Sequence, residues 1–153
     1  MKKHLLIPCL ALVLATSCVS TRNTIRNIDD TAIMPALSKD KTFIITEISS
    51  DKKFGYDQDY PVNLGFLPLS TGELNVQRFF GALAGPDGQK VTYTKIESCC
   101  PFPTKKFDAG AGILDVYDIT WDGLSTPRRI YINMYEKGKV IAPNGFTIRS
   151  IAP

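Results

Sequence analysis

The chain has 153 residues and a net charge of +3, with 44% hydrophobic and 22% charged residues. This composition is typical of a globular protein and excludes a disordered chain or one with many membrane spans. The length favours a single main domain.

Residues 1–17 have the pattern of a secretory signal peptide. Lys2 and Lys3 precede an uncharged, mainly apolar run over residues 5–15, which is too short to span a bilayer as a stable helix. Small residues then stand directly before Cys18, which is similar to the lipobox of bacterial lipoproteins. The resemblance implies cleavage before Cys18, a thioether-linked lipid on its sulfur and an acylated N-terminus, for instance with palmitate. The alternative is an ordinary secretory signal followed by a chance cysteine.

Removal of the signal peptide changes the charge and the available chemistry. Loss of Lys2 and Lys3 from the 18 basic residues leaves 16 basic against 15 acidic side chains. No basic field then remains to attract nucleic acid, and we expect no nucleic-acid partner. The only histidine, His4, is also lost, which excludes Ser-His-Asp or Cys-His catalysis and histidine-ligated metals. We therefore predict no catalytic residues, no metal, no cofactor and no enzymatic activity.

The segment after Cys18 predicts how the domain is attached. Residues 18–40 are polar and indicate a lipidated N-terminus followed by a flexible tether. Residues 19–21 resemble neither the inner-membrane retention signal nor the surface-export signal of such lipoproteins. That resemblance implies a location in the outer membrane, facing the periplasm. Residues 41–153 predict one globular domain that is large enough for a core without disulfide support.

The domain is predicted to be α+β, with one helix packed on a mainly antiparallel sheet of four to six strands. The helix is expected to begin at a capping box over residues 70–73 and to end at Gly85–Pro86. Its apolar stripe has helical spacing and comprises Val76, Phe79, Phe80 and Leu83. Period-two alternation and β-branched residues predict extended segments at 41–48, 62–67, 90–97, 113–121, 129–136 and 146–151.

Two of these strands predict a hairpin. With Tyr117 opposite Ile132 and Ile119 opposite Ile130, the large apolar residues share one face, which only Asp115 interrupts. A slip of one residue would mix apolar and polar side chains on both faces, which disfavours it.

The other face of the hairpin is mixed in character. Aromatic and planar polar groups suit a sugar or peptide ligand, so this face is a candidate binding surface. Its residues are Arg129, Tyr131, Asn133 and Tyr135. The alternative is that they are ordinary sheet residues with polar ends at the surface.

The adjacent cysteines Cys99 and Cys100 are the most unusual feature of the domain. Nearby Lys105 and Lys106 would favour a thiolate, as in a redox or metal-binding site. A disulfide between neighbours is also conceivable, although their Cα atoms are only about 3.8 Å apart, against roughly 4.4–6.8 Å usually. The prolines that follow, beginning with Pro101, predict that the strand ends at the pair. We favour a structural pair, with the choice between a disulfide and two thiols left open.

Several segments resemble a family of small Gram-negative lipoproteins of unknown function. They are residues 87–88, 90–102, 114–117, 131–135 and 142–146, within a match over about residues 55–147. Some such proteins carry the name 2-dehydro-3-deoxyphosphooctonate aldolase, an activity that we do not expect here. The true enzyme resembles a TIM barrel, which needs about 250 residues. The resemblance implies the fold and the lipid anchor but supplies no catalytic residue.

Two functional hypotheses follow. The favoured one is a non-enzymatic envelope lipoprotein, held in the membrane by its N-terminal lipid, that binds or scaffolds an envelope protein or a glycan. The alternative is a thiol-dependent redox enzyme or a soft-metal-handling protein that uses Cys99 and Cys100.

Overall fold

The computed structural model describes residues 23–149; the predicted signal peptide and Cys18 lie outside this range. Within it, one helix and six strands are present, and a short 3-10 turn at Leu69–Thr71 precedes the helix. In chain order the elements are β1 (Val62–Asn63), α1 (Glu73–Gly81), β2 (Leu83–Ala84), β3 (Thr92–Pro103), β4 (Ala111–Thr120), β5 (Arg128–Asn133) and β6 (Thr147–Ile148).

The main sheet has four strands in the order β1-β5-β4-β3. The pairs β3–β4 and β4–β5 are antiparallel, whereas the short β1 runs parallel to β5. Strands β2 and β6 form a separate two-stranded antiparallel sheet. The predicted class, α+β with one helix on a mainly antiparallel sheet, is therefore confirmed.

Helix α1 covers one face of the main sheet. Val76, Phe79 and Phe80 are completely buried, which confirms these three residues of the predicted apolar stripe. Leu83 is also buried, but it lies in β2 and not in the helix. The ring of Phe80 stacks on Tyr93 of β3, with 4.5 Å between the ring centroids. The aromatic contacts between helix and sheet make this the main core of the domain.

The predicted helix ends were wrong. Gly72 is the N-cap and makes no side-chain cap hydrogen bond, so the capping box does not form. The side chain of Glu73 instead faces the sheet, where it accepts from the Tyr117 hydroxyl at 3.4 Å. At the other end the helix stops at Gly81, because Leu83 and Ala84 leave it to pair with β6.

The hairpin prediction was correct in its face and wrong in its register. Tyr117 pairs with Ile130 and Ile119 with Arg128, a shift of two residues from the predicted pairing. A shift of two keeps every side chain on its own face, so the hydrophobic pattern cannot distinguish the two registers.

Residues 41–48 do not form the predicted strand. Phe43 and Ile45 are buried, as the alternation predicts, but the backbone finds partners outside any strand. The Phe43 N–H donates to the carbonyl of Arg78 at 3.1 Å, near the end of α1, and the carbonyl of Glu47 accepts from a loop amide. The segment is thus an extended part of the core that lacks a neighbouring strand.

The predicted tether needs the largest correction. Residues 23–40 lie against the domain, and Ile25 is buried in a second hydrophobic cluster on the face of the sheet opposite α1. The side-chain amide of Asn27 donates to the carbonyl of Pro61 at 2.7 Å. Polar side chains that indicated flexibility therefore include one that hydrogen-bonds the segment to the domain. Only residues 19–22 separate Cys18 from the docked segment.

The contact between α1 and the sheet provides a test of the core. Changing Phe80 to alanine should lower the free energy of unfolding by about 3–5 kcal/mol, because it removes a fully buried ring. Leu74→Ala is the matched control, since Leu74 lies in the same helix and is 45% exposed. Urea denaturation of both variants measures the difference; equal losses would contradict the proposed core.

Candidate functional site

Cys99 and Cys100 are joined by a disulfide inside β3. Cys99 is opposite Leu114 and Phe102 is opposite Gly112, so Cys100 and Pro101 form a bulge. The prediction that the strand ends at the pair was wrong, because β3 is an edge strand and a bulge there accommodates proline without loss of a ladder hydrogen bond. Cys100 has a φ of 59°, which few residues other than glycine adopt.

The disulfide is surrounded mainly by residues that pack in the core of the domain. Cys100 packs on the second hydrophobic cluster, which contains Ile25, Phe102 and Leu114. A small cavity of about 140 Å³ opens beside Cys100 and is lined in part by Gln58 and Asp59. Among residues 23–149, no group of three or more His, Cys, Asp or Glu side chains is placed to hold a metal ion.

The structure does not bring the four predicted surface residues together as an exposed groove. Arg129 is at the surface and pairs with Asp118 at 3.2 Å. Tyr131 and Tyr135 are half-buried against the second cluster, and Asn133 is completely buried. The docked N-terminal segment covers much of this face, so Asn133 cannot contribute to an exposed surface.

Asn133 belongs to a chain of buried amides. Its Nδ2 donates to Oδ1 of Asn63 at 2.9 Å, and Nδ2 of Asn63 donates to the carbonyl of Asn27 at 2.9 Å. Oδ1 of Asn133 accepts from the Tyr135 N–H at 2.9 Å. These bonds join the N-terminal segment to β1 and β5, so Asn133 has a structural role.

A buried carboxylate lies on the face of the sheet that carries α1. Oδ1 of Asp115 is 2.7 Å from both Nζ of Lys95 and Oγ of Ser98, whereas its Oδ2 is buried without a hydrogen-bond partner. Burial, and then the negative charges of Glu73 and Asp115, raise the pKa of Tyr117 well above its usual value. Lys95 and Ser98 therefore both compensate the buried charge of Asp115.

A cleft of about 580 Å³ lies between the N-terminal segment and the loop that joins β3 to β4. We call it the N-terminal cleft. Its lining combines both signs of charge with small and apolar groups. It is lined by Asn23, Ile28, Asp30, Pro103, Thr104, Lys105, Lys106, Gly110 and Glu136.

Three of the charged groups that line the N-terminal cleft, Lys106, Asp30 and Glu136, have partners within the cleft lining. Nζ of Lys106 is 2.9 Å from Oδ1 of Asp30, and this hydrogen bond and charge, with a smaller effect of Glu136, raise the pKa of Lys106. Glu136 is only 5% exposed and accepts a short hydrogen bond from the Thr104 hydroxyl. A largely buried carboxylate therefore faces a cleft whose rim carries lysines.

The two ends of the loop that joins β3 to β4 are held together by a backbone hydrogen bond. The Thr104 N–H donates to the carbonyl of Gly110 at 3.1 Å, and the Thr104 hydroxyl accepts from the Lys106 N–H at 3.0 Å. Gly110 has a φ of 72°, a conformation that favours glycine. The sequence pattern indicated Lys105 and Lys106 only as neighbours of the thiols. It missed the cleft because its other wall lies in the presumed tether.

No family model, curated protein or solved structure matches this chain. The resemblance to small Gram-negative lipoproteins thus stays a prediction. Among residues 23–149, no helix has the length and apolar character needed to cross a membrane.

The disulfide provides a test of its structural role. Replacing both Cys99 and Cys100 by serine should lower the free energy of unfolding by about 1–3 kcal/mol, because Cys100 then loses apolar contacts in the second cluster. Thermal unfolding measures this loss, and intact mass after alkylation, with and without reductant, reports the bond. Rapid alkylation of either cysteine in the unreduced native protein would contradict the structural role.

Proposed function

We propose that this protein is a non-enzymatic binding module of the cell envelope. In this proposal a lipid on Cys18 anchors it in the outer membrane, facing the periplasm, and a polar partner occupies the N-terminal cleft. The observation that carries the proposal is the docking of residues 23–40, because this segment forms one wall of a cleft of about 580 Å³.

Docking also limits how far the domain can lie from the membrane. Five residue steps separate Cys18 from Asn23, which lines the cleft. A fully extended chain of that length spans at most about 18 Å. A lipid on Cys18 would therefore hold the cleft near the membrane surface rather than at the end of a long tether.

The chemistry of the cleft suits binding better than catalysis. Its volume of about 580 Å³ is within the usual range of small-ligand sites. It offers ammonium donors from Lys105 and Lys106 and a carboxylate acceptor from Glu136. The mature sequence contains no histidine to act as a general base near neutral pH.

The alternative, a thiol-dependent redox or soft-metal-handling protein, is supported by one feature. Cys99 and Cys100 are only half-buried, and the cavity of about 140 Å³ gives access beside Cys100. Loss of a cellular phenotype in a single Cys100→Ser variant, with normal folding and localisation, would favour this alternative over the binding module.

The anchor is tested by labelling with a radioactive fatty acid in the native host. Cys18→Ala should abolish acyl labelling and stop maturation at the lipoprotein peptidase step, since it removes the lipidated sulfur. Cys9→Ala is the matched control, because Cys9 lies in the predicted signal peptide and should not affect labelling. Equal membrane attachment of the Cys18 variant would defeat the proposed anchor.

The binding site is tested by photo-crosslinking in the intact envelope. A photoreactive residue at Lys105, on the rim of the cleft, should form partner crosslinks. The same residue at Lys139, which is 64% exposed and pairs with Glu47 outside the cleft lining, should form few. Similar crosslinking from both positions would contradict the cleft as the binding site.

A further inference from the structure

We infer that the N-terminal cleft binds the headgroup of a phospholipid of the anchoring membrane, one in which a phosphate ester carries a primary ammonium. The inference rests on the proposed function for the membrane as source of the ligand. The chemistry of the ligand follows separately from the charges that line the cleft.

The basic groups of the cleft fit a phosphate. An ammonium group has three N–H donors, and Lys106 directs one of them to Asp30. Its other donors and those of Lys105, which also lines the cleft, remain for the oxygens of an anion. Charge-assisted hydrogen bonds of this kind are stronger than those between neutral groups.

The acidic groups fit a primary ammonium and disfavour a ligand that is only anionic. The Thr104 hydroxyl occupies one oxygen of the Glu136 carboxylate, which leaves the second oxygen for a donor. Asp30, which is 64% exposed, places another carboxylate at the same cleft. A primary ammonium can donate N–H bonds to a carboxylate, whereas a quaternary ammonium has no N–H to donate.

The position of the cleft favours a membrane lipid as source. Asn23, at most about 18 Å along the chain from Cys18, lines the cleft together with the two lysines. Phe107, in the same loop, is 44% exposed and contacts the ring of Tyr135 edge-on, with 5.8 Å between centroids. An exposed aromatic ring beside lysines is suited to the boundary between headgroups and acyl chains.

The chemistry is tested on the mature protein in maltoside micelles, by titration with a soluble headgroup observed by NMR. Glycerophosphoethanolamine should bind saturably, and glycerophosphocholine and glycerophosphoglycerol should each bind about tenfold more weakly. Glu136→Gln should abolish the preference for ethanolamine over choline. Asp30→Asn, at an exposed position, should reduce it without affecting folding.

Further variants distinguish binding in the cleft from a general effect of removing positive charge. Lys105→Ala should weaken glycerophosphoethanolamine binding about tenfold, whereas Lys139→Gln should leave it unchanged. No saturable binding, or equal binding of the ethanolamine and choline compounds, would overturn the inference. The proposed function would survive that result, because acyl labelling of Cys18 and crosslinking from the cleft are measured independently.

The source of the headgroup is tested with the same protein in lipid vesicles. Hydrogen exchange of residues 104–110 should be slower in vesicles that contain phosphatidylethanolamine than in pure phosphatidylcholine. Binding of the soluble compound without this protection would overturn the membrane source and assign the cleft to a free phosphate ester. Exchange that is slower than in micelles by the same factor in both kinds of vesicle would overturn the headgroup selectivity.

Discussion

The main sheet has two apolar faces, and both must be covered. Helix α1 covers one, and the N-terminal segment covers the other, where Ile25 packs with Phe102 and Leu114. This second contact determines most of what is distinctive about the molecule. It shortens the possible tether, forms a wall of the N-terminal cleft, packs beside the disulfide and partly covers Tyr131 of β5 and the nearby Tyr135.

Hydrogen bonding makes the docking of this segment specific. Apolar contact alone would allow it to slide along the sheet, because the hydrophobic effect has no direction. The amides of Asn27, Asn63 and Asn133 form a connected chain, and an amide removed from water without its partners costs about 1–3 kcal/mol. The position of the segment is thereby fixed, and with it the position of Asp30 at the cleft.

The sequence was sufficient for features that depend on local patterns. It predicted the class, the apolar stripe of α1 and the correct face of the β4–β5 hairpin. It failed where the deciding contacts are distant in the chain. Asn63 bonds to partners 36 and 70 residues away, and no local pattern distinguishes such an asparagine from one in a flexible loop. For that reason the tether was predicted wrongly and the cleft was missed.

Two buried carboxylates show why burial alone does not identify a site. Asp115 and Glu136 are exposed to a similarly small extent, at 3% and 5%. Oδ1 of Asp115 is held by Lys95 and Ser98 and its Oδ2 is enclosed, so a ligand has no route to it. Glu136 instead lines an open cleft beside two lysines. A buried charge is costly unless it is compensated. The Thr104 hydroxyl bonds one oxygen of Glu136, and in the proposal the ammonium group of the ligand bonds the other.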